Sequence, residues 1–157
     1  MKKQITSGLN RRNFIRNVVF ASATVGGLFQ ILPSYVLGRD GAVSPNEKII
    51  MGGLGIGARG TSVLEIFLHE PDVRFVAVAD ARLERRKAVK QMVDTKYGDD
   101  KCVVYDDFRR ILDRTDIDIL LIATGDRWHS LASILAAKAG KDMYCEKPCS
   151  MTIKESI

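Results

Sequence analysis

The chain has 157 residues, 46% of them hydrophobic and 27% charged; this excludes wholesale disorder and allows one domain with a real core, but not two ordinary ones. Four prolines and 13 glycines exclude a collagenous or low-complexity chain, and three cysteines without C-x-x-C spacing exclude a disulfide scaffold and argue against structural zinc. The net charge of +5 is no nucleic-acid footprint: residues 1–47 hold six basic side chains against two acidic ones, while residues 48–157 hold eighteen against seventeen, so no basic face is implied.

The excess charge opens an N-terminal segment. Arg11-Arg12-Asn13-Phe14-Ile15-Arg16 is followed by 22 uncharged residues, 17–38, with Val18, Val19, Phe20, Leu28, Phe29 and Ile31 among them. A charged region followed by an apolar one is the physical form of an export signal, and the arginine pair resembles a twin-arginine translocation signal. That resemblance implies recognition by the twin-arginine export machinery and a periplasmic or secreted protein. Cleavage after Gly38 is the reading of Val36-Leu37-Gly38. The alternatives are an uncleaved membrane anchor, since 22 residues can span about 30 Å as a helix, and a helix of the domain itself. Residues 39–47 read as a polar linker, and residues 48–157 as the domain.

From Lys48 short apolar runs alternate with helical patterns. Residues 48–54 form a buried strand ending in glycines. Residues 61–69 form a helix with a wide apolar face, which places His69 at its C-terminus, favourable to the dipole. Residues 73–79 form a second strand, and 82–97 an exposed helix. Residues 102–105 form a short third strand and 108–112 a helical turn or two. Residues 117–123 are a near-continuous apolar run, hence a strand covered on both faces. Residues 128–139 place Trp128, Leu131, Ala132, Leu135 and Ala139 on one helical face, closed by Gly140. Residues 142–145 form a fifth strand. Short connections between alternating strands and helices demand parallel strands, so the expected fold is α/β, a doubly wound five-stranded sheet of the Rossmann type. Thr152 and Glu155 have capping-box spacing. A helix nucleated so near Ile157 implies that this chain is the front part of a longer protein.

The chemistry gathers at the strand ends. Gly55-Ile56-Gly57-Ala58-Arg59-Gly60 is G-x-G-x-x-G between a strand and a helix, the pattern that lets backbone approach a pyrophosphate at a helix N-terminus. Asp80 closes the second strand twenty residues after Gly60, where a carboxylate accepts both ribose hydroxyls; it also suits an N-cap for the next helix, and both roles can coexist. Asp80 favours NAD over NADP because it repels a 2′-phosphate. Arg82 and Arg85 could soften that preference, though a solvated helix face explains them better. Thr124 to His129 follow the fourth strand, and Glu146-Lys147-Pro148 the fifth, all on the ligand side of such a sheet. Lys147 suits a substrate oxygen or a developing oxyanion; alone it reads as a loop lysine. Cys145 reads as buried, Cys149 as incidental, with no metal site. Trp128 reads as a packing anchor.

The glycine loop, Asp80, Thr124 to His129 and Tyr144-Cys145-Glu146-Lys147-Pro148 together resemble the Gfo/Idh/MocA oxidoreductases over residues 46–157. The resemblance implies that Lys147 is catalytic and that Glu146 and Pro148 position it beside the nicotinamide. It implies that Gly55, Gly57, Ala58, Arg59, Gly60, Asp80, Thr124 and His129 line the NAD site. His129 also suits a plain helix start. Gly125 and Arg127 depart from the family's T-P-x-x-x-H pattern, which predicts a looser loop. The resemblance implies that the family's C-terminal domain, which carries the substrate pocket, is expected outside residues 1–157. The implied activity of the full-length, homo-oligomeric protein is hydride transfer between nicotinamide and a sugar or polyol; this part alone is expected to be inactive. The alternatives are an NAD-retaining glycoside hydrolase and a non-catalytic NAD-binding module.

Overall fold

The computed structural model describes Gly38 and residues 43–157. The twin-arginine segment, the membrane-anchor alternative to it and most of the linker lie outside the described residues. After a 3-10 turn at Pro45–Glu47, five strands alternate with five helices: β1 (Ile49–Leu54), α1 (Ala58–Phe67), β2 (Val73–Ala79), α2 (Leu83–Tyr97), β3 (Val103–Tyr105), α3 (Arg109–Leu112), β4 (Ile119–Ile122), α4 (Asp126–Lys138), β5 (Asp142–Cys145) and α5 (Ile153–Ser156). The strands form one sheet in the order β3-β2-β1-β4-β5, with every pairing parallel. The order reverses after β1, which leaves the carboxyl ends of β1 and β4 side by side and makes a crevice there.

Side-chain alternation along the strands feeds two cores, one on each face. On β4, Leu121 joins Met51, Phe75 and Val78, covered by Val63, Leu64 and Leu68 of the α1 region and by Val89 and Val93 of α2. Leu120 and Ile122 point the other way, to Ala77, Ile111 of α3, and Ala132 and Ala136 of α4. An irregularity between Met51 and Gly52 shifts the β1–β2 register by one residue, so β2 sends Phe75 to one layer and Ala77 to the other.

Three expectations change. Helix α1 begins three residues early, because the glycine motif itself supplies its first turn: Gly57 is the N-cap, and Thr61 N–H donates to Gly57 O at 2.8 Å. The inward stripe of α4 is His129, Ala132 and Ala136, not the face through Trp128 and Leu131. Trp128 is 48% exposed; the helix is turned by His129, whose ring is held inside. Cys145 is exposed and Cys102 is the buried cysteine; Cys102, just before β3, belongs to the same buried cluster as Val89 and Val93 of α2. Burial, together with the nearby Asp94 charge, pushes the Cys102 thiol up to about 12, so it is inert as a nucleophile.

Gly140 closes α4 at positive φ, as its place after residues 128–139 predicts, and Gly98 closes α2 in the same way. Thr152 Oγ1 accepts the Glu155 N–H at 3.3 Å, while Glu155 Oε2 accepts the Met151 N–H.

Candidate functional site

Backbone pairing brings the functional segments to one edge. Gly55 N–H donates to Ala79 O, Asp80 N–H to Tyr105 O, Ala123 N–H to Leu54 O and Glu146 N–H to Ile122 O, all at 2.7–3.2 Å. Each strand thus hands its next residue to a neighbour's carboxyl end. Between them lies a cleft of about 990 Å³, the size of a cofactor site. Gly55, Asp80 and Thr124 line it, with Arg85 and Trp128.

The glycine turn is shaped by what it lacks. Gly55 takes φ +67°, and a Cβ there would come within 2.6 Å of the Thr124 backbone. A Cβ on Gly60 would lie 2.8 Å from Ala123 Cβ, so α1 packs directly on the end of β4. The N–H groups of Ala58, Arg59 and Gly60 belong to the first turn, where no intrahelical acceptor exists, and the positive end of the helix dipole lies there.

Asp80 is not the cap of the next helix: the N-cap of α2 is Arg82, and Asp80 lies two residues before it. Its Oδ1 accepts the Arg82 N–H at 2.8 Å. Its Oδ2 is buried without a hydrogen-bond partner. The nearest charged group is Arg85, whose Nη1 is 3.9 Å from Oδ2.

The lysine loop stands apart from the cleft lining and is fastened from both sides. Arg59 Nε donates to Glu146 Oε1 at 3.0 Å, and Nη2 reaches the same oxygen at 3.0 Å. His129 is 1% exposed, with Nδ1 2.6 Å from Pro148 O and Nε2 3.0 Å from Thr124 O. Ser130 Oγ donates to Cys149 O at 2.9 Å. Both ring nitrogens of His129 thus face backbone carbonyls, to one of which a neutral imidazole donates, and this makes it a positioning residue that joins the Thr124 turn to the lysine loop, not a group facing a ligand. The Arg59 side chain is likewise committed to Glu146, which leaves its backbone N–H in the first turn of α1. The Lys147–Pro148 peptide is cis, and the Lys147 side chain is exposed with no hydrogen bond among the described residues. Gly125 sits at φ −71°, ψ 150°, a backbone shape that proline also adopts, so the departure from proline leaves the turn's form intact.

Sequence reasoning missed the wall that follows β3. Asp106, Phe108, Arg109 and Arg110 line the cleft. Arg109 is held by Asp107 at 2.7 Å, and the Arg110 guanidinium lies 4.9 Å from the Tyr105 ring centroid. Their position at the carboxyl end of a strand was the available signal.

The Arg59 guanidinium holds the Glu146 carboxyl below the usual glutamate range, against the opposing effect of burial. A lowered folded value means that the pair stabilises fully above the ordinary glutamate pKa of about 4.3 and loses that contribution as pH falls through the folded value. Glu146→Gln is therefore less stable than the parent at pH 7, and the gap narrows as pH falls below the ordinary glutamate range. Urea midpoints of the full-length protein at pH 7 and at a pH below that range check this. A gap that stays constant on acidification contradicts it.

Comparison with known proteins agrees with this geometry. The model of the GFO_IDH_MocA family, described as "Oxidoreductase family, NAD-binding Rossmann fold", matches residues 48–156. Among curated proteins, a glycosyl hydrolase family 109 protein of Shewanella baltica (strain OS155) is 31% identical over 168 residues, covering 94% of this chain and 35% of the relative. An alpha-N-acetylgalactosaminidase of Shewanella oneidensis is 29% identical over 157 residues, covering 96% and 32%. This chain thus spans about a third of the length of these relatives. Among solved structures, myo-inositol dehydrogenase from Lactobacillus casei, in complex with NAD(H) and myo-inositol, superposes with a TM-score of 0.61 at 23% identity, covering 69% of this chain and 31% of that one. A 3-ketoreductase from Actinomadura kijaniata, in complex with NADP, has a TM-score of 0.60 at 21% identity, covering 69% and 32%. With its parallel sheet, glycine turn and fastened lysine loop, the chain belongs to the Gfo/Idh/MocA oxidoreductase family, whose NAD-binding Rossmann domain it carries.

Proposed function

We propose that this chain is the nucleotide-binding part of a longer enzyme that takes NAD into the cleft and acts on a sugar or polyol by hydride transfer. The observation that carries this reading is Asp80 Oδ2, a buried carboxylate oxygen at the cleft wall with no hydrogen-bond partner. Such an atom is costly unless something completes its shell, and a ribose hydroxyl is a suitable donor. The glycine turn fits the same group, since a Cβ at Gly55 would collide with Thr124 where backbone must approach a pyrophosphate.

On this reading each residue has a limited task. Asp80 accepts from the adenosine ribose and, by its charge, disfavours a 2′-phosphate, so NAD is preferred over NADP. The first-turn N–H groups of α1 receive the pyrophosphate. The nicotinamide, when bound, supplies the hydride acceptor and donor. The Lys147 ammonium donates a hydrogen bond to the substrate oxygen and stabilises negative charge there. Arg59, His129 and Ser130 hold the loop that presents it.

Titration of the full-length Asp80→Ala variant with NAD tests the assignment. Loss of a charged hydrogen-bond partner lowers affinity roughly ten- to a hundredfold; unchanged affinity means that the ribose lies elsewhere.

A second reading is a glycoside hydrolase that keeps its NAD. One observation favours it: the curated relatives above carry glycosidase names and match nearly the whole chain. Absorbance of NADH during turnover of the full-length protein separates the two. Net accumulation supports the dehydrogenase, and glycoside cleavage without it supports the hydrolase.

A further inference from the structure

We propose that Arg59 is a positioning residue for Lys147: by occupying the Glu146 carboxylate it keeps the neighbouring ammonium free for the substrate. The proposal deepens the dinucleotide reading above and rests on the role given there to Lys147. Arg59 stands inside the glycine motif, in the first turn of α1, yet its guanidinium reaches a residue 87 positions along the chain. Nε and Nη2 both lie 3.0 Å from Glu146 Oε1. The partners are unequal, since the Glu146 side chain is 7% exposed and that of Arg59 67%. The guanidinium is thus a lid on a buried carboxylate that sits one residue before Lys147.

A buried carboxylate keeps its charge only where a cation or several donors meet it. Two cations act on Glu146. The Arg59 guanidinium lowers its carboxyl most, and the Lys147 backbone N–H and charge act in the same direction. With the guanidinium in place, the Lys147 side chain is exposed and makes no hydrogen bond among the described residues.

Without Arg59, the Lys147 ammonium is the cation left beside that carboxylate, and its flexible four-carbon stem lets it fold back. A lysine so paired is lost to the substrate in two ways: its donors are spent and its position is wrong. The carboxylate cannot move away, because the Glu146 N–H donates to Ile122 O at 2.9 Å and His129 holds the Pro148 carbonyl. An arginine suits the task, since its planar fork stays charged at every working pH.

The test reads the Lys147 amine directly, by acetic anhydride labelling of the full-length protein without nucleotide, followed by peptide mass spectrometry. The unprotonated amine is the form that reacts, and a paired ammonium holds its proton more tightly. Lys87, exposed on α2, is the internal reference. In Arg59→Ala the labelling rate of Lys147 relative to Lys87 falls roughly threefold or more. Combining Arg59→Ala with Glu146→Gln returns the rate to near that of the parent, because the competing carboxylate is gone. Arg59→Lys keeps a cation on Glu146 and also stays near the parent. Arg59→Met keeps the apolar stem without the donors, so it carries the test if the alanine variant folds poorly. An unchanged rate in Arg59→Ala or Arg59→Met, or a fall that Glu146→Gln does not reverse, overturns the proposal. Titration of the same variants with NADH is the second readout. Affinity in Arg59→Ala stays within about threefold of the parent; a larger loss, as for a charge-assisted contact to phosphate, assigns the guanidinium to the nucleotide and overturns the proposal. A parent that binds no NADH sinks the dinucleotide reading, while the labelling rates still decide whether Arg59 keeps the Lys147 ammonium free.

Discussion

Replacing Lys147 with alanine in the full-length protein lowers kcat by about two to three orders of magnitude, the usual loss when one preorganised donor to a developing negative charge is removed. The expectation comes from how the loop is built. Glu146 is buried under Arg59, the Pro148 carbonyl is held by His129, and the Cys149 carbonyl by Ser130. The backbone on either side of Lys147 is tied down, while the Lys147 side chain is exposed. Fixed flanks around one free ammonium are what catalysis by positioned charge requires, because the geometry is set before the reaction begins. Nucleotide affinity changes little, since the lysine loop lies outside the cleft lining. Steady-state kinetics and nucleotide titration of the same variant separate the two effects. Near-normal turnover returns Lys147 to the status of a surface lysine.

Gly55→Ala costs about 2–5 kcal/mol of stability, the sum of an unfavourable backbone region and an overpacked contact. A second glycine provides the comparison. Gly55 and Gly98 have nearly the same φ, +67° and +68°, so an alanine at either pays the same conformational penalty. Around Gly98 nothing lies within 4 Å of the added Cβ, whereas at Gly55 it meets Thr124 Cα and Cγ2 at 2.6 Å. Backbone cannot swing away as the tip of a long side chain can. Gly98→Ala should therefore cost only about 1–2 kcal/mol, and the difference between the two is the price of closing the turn. Urea denaturation of both variants without nucleotide measures it. Equal costs would show that the Thr124 turn yields to the added methyl group.

The elements were legible in the chain because their causes are local. Alternation and apolar runs over a few residues set β2 and β5 at the expected bounds, and Gly140 and the Thr152–Glu155 pair marked helix ends by their own backbone and capping chemistry. The site's outline was legible as well, since a parallel α/β sheet gathers every strand's carboxyl end on one edge, and the glycine turn, Asp80, Thr124 and the lysine loop all follow strands. The boundary of α1 was misplaced for a local reason of another kind: glycines read as a loop, yet here they form a first helical turn.

Tertiary structure decided which side chains meet. Arg59 and Glu146 are 87 residues apart, and His129 and Pro148 are 19 apart on different elements; no periodicity reports such pairs. The rotation of α4 followed from His129, a polar ring turned inward because two backbone carbonyls receive it, where hydrophobic patterning alone favoured Trp128. The burial of Cys102 in place of Cys145 followed from packing, since both lie at edge strands and Cys102 alone joins the cluster of Val89 and Val93. Asp80 shows the division within one residue. Its place at the end of β2 and its bond to the Arg82 N–H are short-range and readable from sequence. The solitude of its second oxygen, and the arginine standing 3.9 Å away, depend on how a helix and a glycine turn close around it, a matter of packing in three dimensions.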